Sequence, residues 1–286
     1  MVSFGIVILN YLNWADTINC VNDFLKQIKN YQVFITVVDN HSSNESFDEL
    51  TKAFLHNDNV DIIKSEKNLG FARGNNLGYK HLLKKNIDFD FIIVSNDDIL
   101  LKEQGLYQWI VGQYRDKEFG VLGPDVYSIK SRVHQSPLVN FSLDIAICKK
   151  KLRRKQLKKL IIRFLPDFVF ETSTSDNVFE SDKYDEEQQN ITLHGAFLVF
   201  SKQYFRYYRD LFDNQTFLYM EENLLFLRCI KSSIKIIYSP KYSVTHLQSV
   251  STNYVKVSNK KRKMTRLKHE VDSLKRYIQV LEEFQR

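Results

Sequence analysis

Residues 91–98 read Phe91-Ile92-Ile93-Val94-Ser95-Asn96-Asp97-Asp98, an apolar run that stops at two adjacent carboxylates. Uninterrupted apolar residues suit a strand covered on both faces, as in a parallel sheet. In open α/β sheets, ligands bind just beyond the carboxyl ends of the strands. Asp97 and Asp98 therefore stand where oxygen ligands could hold a hard cation, Mg²⁺ or Mn²⁺, together with a phosphate. Asn-Asp-Asp is equally good turn chemistry, and this stretch alone leaves both readings open.

The segments before it alternate between strand and helix patterns at the spacing of a parallel α/β unit. Strands are predicted at Phe4–Leu9, Val33–Val38 and Val60–Lys64, with helices at Thr17–Lys29, Phe47–Leu55 and Phe71–Lys85. A helix at Leu106–Tyr114 and a short strand at Gly120–Gly123 follow. Beyond about residue 130 the character changes. A polar, acidic stretch, Thr172–Asn190, reads as a loop or lid. Regular structure resumes at Leu193–Phe200, then helices near Lys202–Leu211 and Glu222–Lys231 and a strand at Ile234–Tyr238.

With 286 residues, 43% hydrophobic and 26% charged, the chain has the composition of an ordinary soluble globular protein. Cys20, Cys148 and Cys229 are widely spaced, which argues against a disulfide framework or zinc site and fits a reducing cytoplasm. The N-terminus has no basic leader, and no apolar run approaches the ~18 residues of a spanning helix. The net charge of +7 is uneven: residues 149–163 hold nine Lys/Arg and no acid, and residues 255–286 hold ten more against four acids. The rest of the chain is acidic, with 22 basic and 30 acidic residues. Local basicity points to an anionic partner at those two places. Leu152, Leu157, Leu160, Ile161 and Ile162 interleave with the first set of cations, as in an interfacial amphipathic helix. The acidic body and the lack of a DNA- or RNA-binding motif argue against nucleic acid. In the tail, Met264, Leu267, Val271, Leu274, Ile278 and Leu281 form an a/d seam of about two and a half heptads. Three uses of it are open: packing back on its own domain, a homodimer through this C-terminal helix, and docking on a membrane surface.

Four further groups could carry chemistry. Asp39 ends the second strand, where its carboxylate can accept from a nucleobase N–H or a ribose hydroxyl, or cap a turn with Ser42 and Ser43. Asn68-Leu-Gly-Phe-Ala-Arg-Gly-Asn-Asn76 offers two glycines for close backbone approach, a cationic fork at Arg73, and amide donors at Asn75 and Asn76. It is neither a Walker loop nor a GxGxxG turn. Glu221 and Glu222 open an apolar helical stretch; either could deprotonate an attacking hydroxyl, or both could complement the helix N-terminus. His246 can ligate a cation or donate to a phosphate.

Taken in order, Val7-Ile-Leu-Asn-Tyr11, Val37-Val-Asp-Asn-His-Ser-Ser43, Asn68–Asn76, Ser95-Asn-Asp-Asp98, His194-Gly-Ala196, Tyr219-Met-Glu-Glu222, and His246 with Ser251 resemble the family 2 inverting glycosyltransferases. The likeness spans roughly residues 3–251 and is nearest the branch of bacterial rhamnosyltransferases and related polysaccharide-assembly enzymes. It implies a GT-A fold, α/β with one Rossmann-like, mostly parallel central sheet flanked by helices, followed by a C-terminal amphipathic helical extension. Residues 1–254 would form the transferase domain, with 1–125 binding the nucleotide sugar and 126–254 on the acceptor side; 255–286 would be the extension.

The resemblance implies a dTDP- or UDP-linked sugar donor, a glycan or lipid-linked acceptor, and Mg²⁺ or Mn²⁺. Asp39 would contact the base, and Asn10, Asn68, Gly70, Arg73, Asn76, Asn96, Asp97 and Gly195 would complete the nucleotide-sugar pocket. Asp98 would ligate the metal with help from His246. Glu222 would be the base, with Glu221 the alternative. Two positions depart from the family: Asn96 stands first in the DxD-like motif, and Glu222 replaces the usual Asp, reaching about 1.5 Å farther. The implied setting is the cytoplasm, peripheral at the inner face of the plasma membrane. Competing classes are a sugar nucleotidyltransferase, which would need an N-terminal Gly-rich loop with Lys that Val7–Tyr11 lacks, and a non-catalytic nucleotide-sugar-binding or scaffold protein.

Overall fold

A computed structural model describes residues 1–170, 180–248 and 258–285. Its strands are β1 (Ser3–Asn10), β2 (Gln32–Asp39), β3 (Val60–Lys64), β4 (Phe91–Asn96), β5 (Ile99–Leu100), β6 (Val121–Ser128), β7 (Val133–His134), β8 (Gln188–Gln189), β9 (Phe197–Ser201) and β10 (Ile236–His246). The helices are α1 (Trp14–Lys26), α2 (Ser46–Phe54), α3 (Gly70–Leu83), α4 (Leu106–Lys117), α5 (Ile145–Phe164), α6 (Lys202–Phe205), α7 (Glu221–Lys231) and α8 (Asn259–Phe284).

The strands join one sheet in the order β3-β2-β1-β4-β9-β6-β10-β5, with β7 beside β6 and β8 beside β10. β3, β2, β1 and β4 are parallel, as are β6 and β10, while β9 runs against both β4 and β6. The sheet is therefore mostly parallel, as expected. Strand side chains alternate between its faces. Phe4, Ile6 and Ile8 of β1 and Phe91 and Ile93 of β4 meet α1, α2 and α4 on one side. Val7 of β1 and Ile92 and Val94 of β4 meet α3 and α7 on the other. Burial on both faces explains the unbroken apolar runs.

The predicted elements differ from the observed ones chiefly in the second half. β6 continues past Gly123 to Ser128, and β10 runs on through a register shift to His246, so His246 closes a strand rather than following one. The helix expected over Lys202–Leu211 stops at Phe205, and the Tyr204 hydroxyl donates to the Leu211 carbonyl across the returning chain. Part of the expected loop or lid, residues 172–179, lies outside the described residues, as does Ser251. Among those described, no helix is long and apolar enough to cross a membrane.

The C-terminal seam is used within the chain. Leu267, Val271, Leu274, Ile278 and Leu281 of α8 are all buried, and α8 lies along α5 and the back of α7. Lys149–Glu282 and Lys155–Glu270 tie α5 to α8 in antiparallel order. Arg276 of α8 forks onto Asp213, with Nη2 2.8 Å and Nε 3.1 Å from Oδ2. Burial disfavours the Asp213 anion, but Arg276 and the Gln215 N–H outweigh it and hold its carboxyl below the usual range. Arg276→Ala leaves that buried carboxylate poorly paired and is expected to cost about 2–4 kcal/mol in urea unfolding. The lowered folded pKa means that the stabilisation is full above the unfolded Asp value and vanishes as pH falls through the folded one. Wild type and variant should therefore converge in stability in acid; an equal gap at every pH would refute the assignment.

Candidate active site

The parallel register brings several candidates to one edge. Asn10 pairs in register with Asp39, and Leu9 with Asn96, so the ends of β1, β2 and β4 lie side by side. Asp39 is fully buried; its Oδ2 accepts from Asn10 Nδ2 (2.9 Å) and its Oδ1 from the Ser42 N–H (3.0 Å). Asn10 is equally buried, and its Oδ1 takes hydrogen bonds from Thr17 Oγ1 and the Asn13 N–H. It thus fixes Asp39 and the β1–α1 turn together.

The Asn68–Asn76 block is the β3–α3 connection and the start of α3. Asn68 Oδ1 accepts from the Gly70 N–H, and Asn40 reaches across to Asn68, Leu69 and Gly70. Gly70 has φ +75°, and a Cβ there would lie 2.0 Å from the Phe217 carbonyl oxygen, which also accepts from the Phe71 N–H. No L-residue with a side chain fits both constraints. Asn76 clamps the Phe212 backbone through paired bonds of 2.9 and 3.0 Å. Its amide is therefore spent on positioning the 212–217 loop. Arg73 is exposed and opens into a cavity of about 280 Å³ with Asn214, Gln215, Phe217, Lys268 and His269.

The acidic motif forms the turn between β4 and β5. β5 pairs with the end of β10, His246 opposite Ile99, and the Leu247 N–H donates to the Asp98 carbonyl. That pairing brings His246 Nε2 to 3.2 Å from Asp98 Oδ1, both residues being more than nine-tenths buried. Asn96 Nδ2 stands 3.5 Å from the same nitrogen. His246 Nδ1 is 2.7 Å from Gln135 Oε1, which can only accept, so Nδ1 carries a proton. Asp97 turns toward the Tyr11 N–H; burial and the Asp98 charge push its carboxyl well up. Gln135 was not among the residues singled out from sequence, and the neighbouring His194 entered only as part of the His194-Gly-Ala196 motif, with no role of its own. His194 is held neutral, pushed down to about 3 by burial and by His246. A lone polar residue in an irregular stretch carries no periodic signal that would have found Gln135.

On the other side of Asn96, its N–H donates to the Ala196 carbonyl and so extends the β4–β9 ladder to Ala196, next to Gly195. A Cβ on Gly195 would lie 2.7 Å from Glu222 Oε1, and the Gly195 N–H binds the Glu222 carboxylate. Glu221 and Glu222 form the first turn of α7, entered through Tyr219 and Met220, both with left-handed φ. Both acids are pushed up by burial, Glu221 to about 8 with the charge of Glu222 adding to the effect. Glu221 is 5% exposed, meets Thr216, and leaves Oε1 without a hydrogen-bond partner. The two carboxylates thus have separate surroundings, and Glu222 is the one beside Gly195.

A mostly parallel sheet with acids and amides at its carboxyl edge, backed by a buried Glu pair at a helix N-terminus, defines an α/β enzyme of the nucleotide-dependent transferase class. The profile of Glycosyl transferase family 2 matches residues 5–179, and the chain belongs to that family. It is accordingly a glycosyltransferase, of a family whose transfer depends on a nucleotide sugar. Among solved structures it is similar to S. aureus TarS residues 1–349, with a TM-score of 0.51 at 11% identity, covering 99% of this chain and 70% of that one. This likeness concerns the fold. No curated protein sequence matches the chain.

Proposed function

We propose that the chain is an inverting, divalent-metal-dependent hexosyltransferase of rhamnosyltransferase type. It moves a sugar from a dTDP- or UDP-linked donor to a hydroxyl of a glycan or lipid-linked acceptor in cell-surface polysaccharide synthesis, at the cytoplasmic face of the plasma membrane. Residues 1–125 serve the donor and 126–254 the acceptor. The contact between Asp98 and His246 carries the reading. With Nδ1 donating to Gln135 Oε1, His246 aims Nε2 at a carboxylate oxygen. Two electron-rich atoms so placed are satisfied by a cation or a shared proton.

Among the described residues, no group of three or more His, Cys, Asp and Glu side chains is placed to hold a metal. A carboxylate and an imidazole nevertheless fit Mg²⁺ or Mn²⁺, which commonly complete their shells with water and substrate phosphate. Asp98 and His246 would hold the ion, which when bound supplies neutralisation of the departing diphosphate charge. Asp39 faces the base or ribose, Arg73 and Asn68 line the donor pocket, and the absence of a side chain at Gly195 leaves room beside Glu222. Glu222 takes the acceptor proton as the hydroxyl attacks the anomeric carbon opposite the diphosphate. Asn96 and Asp97 border the same pocket.

A thermal-shift screen of UDP-, dTDP- and GDP-sugars with and without Mn²⁺ tests this. A donor at ~100 times its Kd is expected to add about 2.7 kcal/mol and raise Tm by roughly 5 °C, with the larger shift in Mn²⁺. Equal shifts with and without metal for every donor would remove the metal from the reading.

A further inference from the structure

α5 carries apolar residues on two opposite sides. Cys148, Leu152 and Ile162, with the stems of Lys155 and Lys159, form the side that lies on α8. Leu157, Leu160, Ile161 and Phe164 follow the i, i+3, i+4, i+7 spacing of a second stripe. Among the described residues nothing covers that stripe: the four are 58%, 52%, 51% and 77% exposed. Phe168 and Val169, in the 3₁₀ turn Asp167–Phe170 just beyond, continue it at 69% and 43%. Scattered exposed apolar residues are ordinary, but six on one outward face form a patch that calls for a partner.

The charges around the patch say which partner. Lys150, Arg153, Arg154, Lys158 and Arg163 are exposed beside it, and residues 145–166 contain no acid. Asp167 is paired to Lys260, and the acids nearest on α8, Glu270 and Glu282, pair with Lys155 and Lys149 on the inner flank. A second copy would set cations against cations. Nucleic acid would meet the charge and leave the apolar stripe in water.

We propose that the outer face of α5 and the 167–170 turn docks on an anionic lipid bilayer, the apolar stripe entering the interface and the flanking cations meeting the headgroups. Its pairing with α8 holds α5 against the body, so docking orients the whole domain. Arg154 also borders a cleft of about 380 Å³ lined by Phe141, Tyr219, Met220 and Leu274. With the Lys155–Glu270 pair in its lining too, the cleft lies at the α5–α8 seam beside the docked face and reaches the turn that enters Glu221 and Glu222, which suits a lipid-borne acceptor. The proposal rests on exposure and charge of α5 and is tested without substrate, so it stands or falls apart from the transfer reading.

Vesicle flotation of the full chain tests it. Binding is expected to phosphatidylglycerol-containing vesicles, to be weak on phosphatidylcholine alone, and to fall on raising salt. The variant Leu157→Gln/Ile161→Gln/Phe164→Ser, all at exposed positions, should keep the wild-type circular dichroism and Tm yet bind roughly tenfold less or worse. Arg153→Glu/Lys158→Glu should do the same through charge. Free pyrophosphate should not release the protein, which separates a bilayer from capture of a lone phosphate. Equal flotation of wild type and the apolar variant, or no preference for anionic lipid, would overturn the proposal. So would light scattering showing that the stripe instead holds a dimer.

Discussion

Glu222→Gln is expected to lower kcat for sugar transfer by about 10²–10⁴-fold while leaving donor affinity close to wild type. The substitution keeps the shape of the side chain and removes its ability to accept a proton. Beside Gly195, the carboxylate meets a backbone N–H that an amide oxygen can also accept from, so folding should be preserved. The sign of the pH dependence follows from the same surroundings. A base works ionised, and burial raises the Glu222 pKa, so the rate should rise with pH through a range above that of an ordinary carboxylate. Glu221→Gln is the matched control. Burial and its neighbour push Glu221 up to about 8, so it is mainly protonated at neutral pH, and an amide imitates that form. Turnover should stay within roughly tenfold of wild type, well short of the loss expected for the base. If Glu221→Gln is the slow variant and Glu222→Gln is not, the assignment of the pair is reversed.

Asp98→Asn is expected to lower kcat/KM for the donor by about 10²–10³-fold and to weaken Mn²⁺ binding measured directly by calorimetry. Asp98 lies in a turn whose backbone is fixed by β5–β10 pairing and by the Leu247 N–H, so the amide should hold the turn and lose only the charge. His246 Nε2, 3.2 Å away, would then face a neutral group. Near wild-type transfer at saturating metal, with normal donor affinity, would show that Asp98 is not a ligand.

The first half of the fold was legible because β1, β2 and β4 are buried on both faces and the helices between them on one. Phe4–Leu9, Val33–Val38 and Phe91–Val94 announce such strands by unbroken apolar runs, and the helices between them by apolar spacing. The second half was harder for a physical reason. β10 is bent by a register shift, so it reads as a short strand and an irregular tail, though it continues to His246. The Asn68–Asn76 block shows the limit of residue chemistry. Its Gly and Asn residues looked like ligand contacts, yet Gly70 admits the Phe217 carbonyl and Asn76 holds the Phe212 backbone.

By itself, the chain determined its α/β class, the acidic end of β4 and the two apolar patterns of α5 and α8, because each is written in periodicity or in neighbouring residues. Tertiary structure alone decided that the α8 seam closes on α5 and α7, since apolar spacing is the same whether the covering surface is one's own or a partner's. It alone joined Asp98 to His246 and Gln135, through β5–β10 pairing, and Gly195 to Glu222, through the β4–β9 ladder. Those contacts span separations that no local propensity encodes, and only the register of a completed sheet sets them.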